Sequence, residues 1–88
     1  MKELIEIEKH GKYGATLYFA TDNWKVREGL ILAYERLRKS SYDPDFVDHN
    51  IFCGLRIFVE GIGSERIMLI REVKEIVKKA VEETLKNF

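Results

Sequence analysis

Apolar and polar residues alternate twice near the start of the chain, in "LIEIEKH" and again in "YGATLYFA", with Gly11 between them. A period of two marks a strand with one buried face, so the two segments predict a β-hairpin. On this reading Ile5, Ile7, Tyr13, Ala15, Leu17 and Phe19 share the core face, and Glu6, Glu8, Thr16 and Tyr18 point the other way. After Thr21 the period changes. Val26, Leu30, Ala33, Tyr34 and Leu37 recur at helical spacing. Thr21 or Asp22 offers a side-chain oxygen to cap the first turn, and Arg36, Arg38 and Lys39 suit the negative end of the helix dipole. Gly29 stands one turn before Ala33. It either lets a neighbouring element approach closely or is a tolerated cost of about 1 kcal/mol.

"SYDPDFVDHN" reads as a loop, with Pro44 pushing Asp43 out of helical geometry. In "IFCGLRIFVE" the alternation returns: Ile51, Cys53, Leu55, Ile57 and Val59 on one face, Phe52, Gly54, Arg56, Phe58 and Glu60 on the other. From Glu65 a helical stripe runs through Leu69, Ile70, Val73, Ile76, Val77, Ala80 and Thr84, with Met68 pointing outward and Ile67 at its edge. A continuous final helix capped by Ser64 is the preferred reading. The alternative makes "RIMLI", residues 66–70, a short fourth strand before the last helix. The expectation is one α+β domain over residues 1–88. It has a three-stranded, mostly antiparallel sheet with two helices packed on one face, in the order β-β-α-β-α. No internal repeat is legible. Two helices cover only one sheet face, which leaves Tyr18, Phe52, Arg56 and Phe58 uncovered.

Composition changes this picture in one respect. A chain of 88 residues buries only about 60% of its unfolded surface, so its core is thin. Thin cores are commonly supplemented by disulfides, metals or oligomerisation. Cys53 is the only cysteine, so no disulfide forms within the chain, and one Cys with His10 and His49 makes no zinc site without carboxylates. Oligomerisation is the remaining supplement, and a homo-dimer or a protein partner is expected. Fifteen basic and fifteen acidic residues cancel, so no global charge draws the chain to nucleic acid or an anionic membrane. The longest apolar run, Leu30 to Tyr34, is too short for a bilayer, and the N-terminus lacks the apolar core of a signal peptide. The expectation is a soluble, cytoplasmic protein. Its 34% charged residues and single proline suit a thermophile.

Four groupings invite chemistry. In "VEGIGSERIML", Gly61, Gly63, Ser64 and Arg66 resemble a phosphate cradle at a helix N-terminus. The third glycine of a dinucleotide fingerprint and the Gly-Lys-Ser/Thr of a phosphate loop are both missing, and a plain turn with a Ser64 cap explains the same residues. Tyr18, Phe52, Arg56 and Phe58 on the uncovered face are the residue types that stack single-stranded bases, but also those enriched at subunit interface cores. The neutral charge favours an interface, with Met68 as a further exposed candidate. Asp43, Asp45, Asp48 and His49 could gather round a divalent cation, yet they lack the EF-hand spacing and suit a solvated loop. His49 and Cys53 on one strand stand about 13 Å apart, too far for proton transfer.

"YFATDNW" leading into a helix and "GSERIMLIREV" leading into the last one resemble the layout of the small dimerising subunit of the KEOPS tRNA-modifying complex. The resemblance implies a small α/β accessory subunit that dimerises and carries an extra strand before its final helix. That family's arginine-rich final helix is reduced here to Arg66 and Arg71. "GIGSER" is similar to a Gly-x-Gly-x-x-Arg turn that contacts RNA phosphates in a small-subunit ribosomal protein. The expected role is a non-catalytic, self-associating subunit or adaptor, with no metal, no cofactor and no catalytic residues. The alternative is an RNA- or nucleotide-phosphate-binding module using the Gly61–Arg66 loop and the aromatic face.

Overall fold

The computed structural model describes residues 4–48 and 53–88, with Cys53 described by its backbone alone. Six elements follow in order: β1 (Ile5–His10), β2 (Gly14–Thr21), α1 (Trp24–Lys39), β3 (Asp45–Asp48), β4 (Cys53–Glu60) and α2 (Ser64–Lys86). The strands form one sheet in the order β1-β2-β4-β3, antiparallel at every step. The core lies between this sheet and the two helices. Ala15, Leu17, Phe19, Leu55, Ile57 and Val59 from the strands meet Val26, Leu30, Ala33, Leu37, Ile70, Val73, Val77, Ala80 and Val81 from the helices. The α+β class and the two helices on one face are as the sequence predicts.

Four local expectations change. The fourth strand is not "RIMLI", which belongs to the continuous helix α2, but Asp45–Asp48, in the segment read as a loop. Its Phe46 and Val47 oppose Leu55 and Gly54, so this short strand completes the sheet edge. The cap of α1 is neither Thr21 nor Asp22. Thr21 is still the last residue of β2, and its hydroxyl accepts from the Asn23 N–H at 3.0 Å. Asn23 is the cap, with its side-chain oxygen accepting from the N–H groups of Lys25 (2.9 Å) and Val26 (3.3 Å). Ser64 does not cap α2. It is the first helical residue, and Gly63 holds the cap position at φ 61°, ψ −129° with no side-chain bond. That left-handed φ suits glycine.

The fourth change concerns β1. Ile5, Ile7 and Tyr13 are not in the core; they are 55%, 44% and 60% exposed. Four residues, 11 to 14, separate the paired His10 and Ala15, and the Gly11 N–H donates to the Gly14 carbonyl at 3.0 Å. An even-numbered connection reverses parity across a hairpin, because side chains alternate faces with period two. Glu6, Glu8 and His10 therefore stand opposite Phe19, Leu17 and Ala15 on the helix side, while Ile5 and Ile7 stand opposite Ala20 and Tyr18 on the open side. The helix side tolerates those charges because all of β1 is exposed, and Lys74 of α2 reaches Glu8 in an ion pair.

The architecture is a ββα unit used twice. Gly14 and Gly54, and the first helical residues Trp24 and Ser64, are each 40 positions apart. The β2–β4 register maps onto itself under that shift: Gly14 opposes Glu60 as Gly54 opposes Ala20. The buried positions follow the same rule, pairing Ala15 with Leu55, Leu17 with Ile57, Phe19 with Val59, Leu30 with Ile70, Ala33 with Val73 and Leu37 with Val77. A pseudo-two-fold axis thus passes between β2 and β4. Strand β3 departs from it by a slip of four residues, so Phe46, opposite Leu55, occupies the place that His10 holds opposite Ala15. Gly29 has its close neighbour: a methyl group there would meet the Val81 Cα at 2.8 Å, so the helices cross where a side chain would keep them apart.

Candidate functional site

The open face of the sheet is built in rows across the strands. Ile5, Ala20, Gly54 and Val47 form one row; Ile7, Tyr18, Arg56 and Asp45 the next; Lys9, Thr16 and Phe58 the third. Two aromatic rings lie down on this face instead of standing up. A Cβ at Gly54 would meet the Tyr18 hydroxyl at 2.5 Å and its ring at 2.7–3.0 Å, and one at Gly14 would meet the Phe58 ring at 2.8–3.0 Å. Each ring rests on the diagonal glycine of the neighbouring strand, within the reach expected of cross-strand neighbours. The two contacts are related by the pseudo-two-fold axis, and both strands carry the same Gly-x-x-x-aromatic spacing, Gly14 to Tyr18 and Gly54 to Phe58. That repeated spacing was the sequence signal for the arrangement.

The result is a low, broad apolar surface. Ile5, Ile7 and Phe58 are each close to half exposed. The charges among them are few and balanced: Arg56 pairs with Asp45 at 2.8 Å, and Lys9 and Glu60 stand at the margins. Of the sequence-predicted face residues, Tyr18, Arg56 and Phe58 come together here, and Phe52 lies outside the described residues. Met68 does not join them. It is exposed on α2, in the helix layer, near in sequence to the exposed Ile62 and Ile67. Sequence reasoning missed Ile5 and Ile7, because the parity of β1 depends on a loop length that the alternation does not reveal.

The Gly61–Arg66 loop is a structural joint. The Gly61 N–H donates to the Tyr13 carbonyl at 2.9 Å, and the Arg66 guanidinium donates to the Gly11 carbonyl at 3.0 Å. Together they fasten the β1–β2 turn to the start of α2. A methyl at Gly61 would come within 3.2 Å of the Arg66 backbone nitrogen. Ser64 is exposed at the helix start. In the β3 region Asp45 pairs with Arg56 on the open face, and Asp48 pairs with Arg27 at 3.0 Å on the helix side, so the two aspartates diverge. His49 and the Cys53 side chain lie outside the described residues. His10 stands beside Glu8 at 3.3 Å.

Three groups among the described residues have shifted protonation. Burial, with help from the Glu72 carboxylate, pushes the Tyr42 phenol up to about 12. The hydrogen-bonded ion pair of Arg36 with Glu83, both at the surface, raises the first and lowers the second. Both contacts tie α1 or the segment after it to α2. Among the described residues no helix is long and apolar enough to cross a membrane. Comparison with family models, with curated proteins and with solved structures gives no match.

Proposed function

We propose that the chain is a non-catalytic subunit that pairs with a second copy of itself through the open sheet face. The observation that carries this reading is the placement of Ile5 and Ile7 beside Tyr18 and Phe58 on the face opposite the two described helices. Clustered apolar surface of this kind marks an interaction site, and burying it would add to a core that the short chain keeps thin. Charge selects the occupant. Lys9 and Arg56 are matched by Asp45 and Glu60 on the same face, which suits a like surface better than a polyanion, since nucleic-acid sites are distinctly basic. The flat rings also suit a second sheet, because sheets pack face to face about 10 Å apart through interdigitated side chains.

Phosphate binding at Gly61, Gly63, Ser64 and Arg66 is the alternative, and the Arg66 bond to Gly11 counts against it. Sedimentation of the wild type from micromolar to high micromolar concentration tests the main reading. Dimer mass is expected, with Ile7→Glu and Phe58→Glu shifting it to monomer while circular dichroism stays unchanged. A wild type that remains monomeric throughout contradicts it.

A further inference from the structure

The pseudo-two-fold axis relates two grooves at opposite edges of the helix layer. One lies between α1 and β3, lined by Arg27, Ile31, Tyr34, Arg38, Phe46 and Asp48, with a volume of about 770 Å³. Its twin lies between α2 and β1, at about 480 Å³, and the residues equivalent to Arg27, Ile31, Tyr34 and Arg38 there are Ile67, Arg71, Lys74 and Lys78. In the twin the floor position of Tyr34 is Lys74, which pairs with Glu8, and the place of Phe46 is held by His10, which also contacts Glu8. The fold therefore lines such a groove with mutually satisfied polar groups and requires no aromatic floor.

The α1–β3 groove is built otherwise. Tyr34 and Phe46 meet edge to face, 6.4 Å between centroids at 72°. The Arg38 guanidinium carbon sits 5.7 Å from the Tyr34 ring centroid, and that of Arg27 5.8 Å from Phe46. Arg27 also pairs with Asp48. Arg38 and Lys39 take part in no ion pair among the described residues, although Glu35 shares their rim. Cations in the last turn of α1 complement the helix dipole. That accounts for Arg38 and Lys39, while Tyr34 and Phe46 beneath them pack partly buried against the core and leave their remaining surface to the groove.

The geometry points to this groove as a binding site for a nucleoside monophosphate, free or as one unit of a single-stranded chain. A base has the flat π-surface that an aromatic side chain stacks on. A guanidinium offers paired N–H donors that match phosphate oxygens. The volume falls within the range of small-molecule sites. The guanidinium groups lie over the rings, so an arginine that a base displaces from its ring stays within reach of the phosphate, and neither part alone would bind as well. The groove lies on the helix side and stays open when the opposite sheet face is covered, so this inference does not depend on the pairing proposed above.

Adenosine monophosphate, adenosine, inorganic phosphate, a short single-stranded RNA and a poly-glutamate peptide are titrated separately into the full chain, with amide and aromatic NMR signals followed. The expected result is saturable movement of the Tyr34, Arg38, Lys39 and Phe46 signals with the monophosphate at millimolar concentration or below. Binding by adenosine and by phosphate should each be at least tenfold weaker. Arg38→Glu, an exposed change, should weaken monophosphate binding tenfold or more with the spectrum otherwise intact, and Phe46→Leu should weaken it several-fold. RNA binding tighter than the mononucleotide would identify the chain unit, and equal or weaker binding the free nucleotide. No movement of the groove signals at ten millimolar monophosphate overturns the inference. So does an unchanged response in Arg38→Glu, or a stronger response to phosphate alone or to poly-glutamate.

Discussion

The two ββα halves share a backbone plan and almost no sequence. Across residues 1–40 and 41–80, equivalent positions are identical only at Gly14 and Gly54, Glu35 and Glu75, and Lys39 and Lys79. What persists is shape and polarity: buried apolar pairs in the core, and a glycine beneath an aromatic ring on each central strand. What differs lies where the halves face different surroundings. α1 ends at Lys39, whereas α2 continues to Lys86, and Val81 in that extension meets α1 at Gly29. Gly29 has Leu69 as its twin because only Gly29 lies against that extension. The difference teaches that position along the shared plan fixes burial, while contact across the halves fixes side-chain size.

The largest effect that probes this plan is a cavity at its centre. Leu55→Ala should cost about 2–5 kcal/mol, measured by chemical denaturation. Its twin position already holds Ala15, also fully buried. A cost below about 1 kcal/mol would mean that β4 does not pack against both helices.

Gly29→Ala separates helix propensity from crossing geometry. Propensity alone predicts a gain of up to about 1 kcal/mol. The 2.8 Å approach to the Val81 backbone predicts a loss instead, about 1–3 kcal/mol as for an overpacked core. A gain would show that the helices can move apart freely.

The two helix starts give a smaller contrast. Asn23→Ala should cost about 0.5–2 kcal/mol, because the side chain accepts two first-turn N–H bonds. Ser64→Ala should change stability by less than about 0.5 kcal/mol, because Ser64 makes no such bond. Equal costs in thermal unfolding would put the cap of α2 back on Ser64.

The smallest effect depends on pH. The raised Tyr42 pKa means that the folded chain favours the neutral phenol. Its contribution is fully present below the ordinary tyrosine value of about 10 and is lost as pH rises from there through about 12. Between pH 9 and 11.5 the wild type should lose more stability than Tyr42→Phe. Identical losses would break the link between the segment after α1 and the Glu72 carboxylate of α2.

These contrasts also mark what the sequence discloses. The core stripes of both helices and the inward face of β4 were legible, because the period of burial is written directly into Leu30, Ala33 and Leu37, and into Leu55, Ile57 and Val59. The face of β1 was not, since one residue more or less in the turn reverses it while leaving "LIEIEKH" unchanged. The short strand Asp45–Asp48 was hidden by Pro44 and three acidic residues, which read as loop. The repeat was hidden because core packing accepts Ala15 for Leu55 and Phe19 for Val59. On the candidate interface, Tyr18, Arg56 and Phe58 followed from alternation, whereas Ile5 and Ile7 required the register.

The pairing of two chains through the open face is tested most directly by mixing equal amounts of isotope-labelled and unlabelled chain and recording only contacts between protomers. The account predicts intermolecular nuclear Overhauser effects linking the Ile5 and Ile7 methyls and the Tyr18 and Phe58 rings of one protomer to the same face of its partner. Intermolecular contacts confined to Ile62, Ile67 and Met68 on the helix side, or none at a concentration where the mass is dimeric, would contradict it.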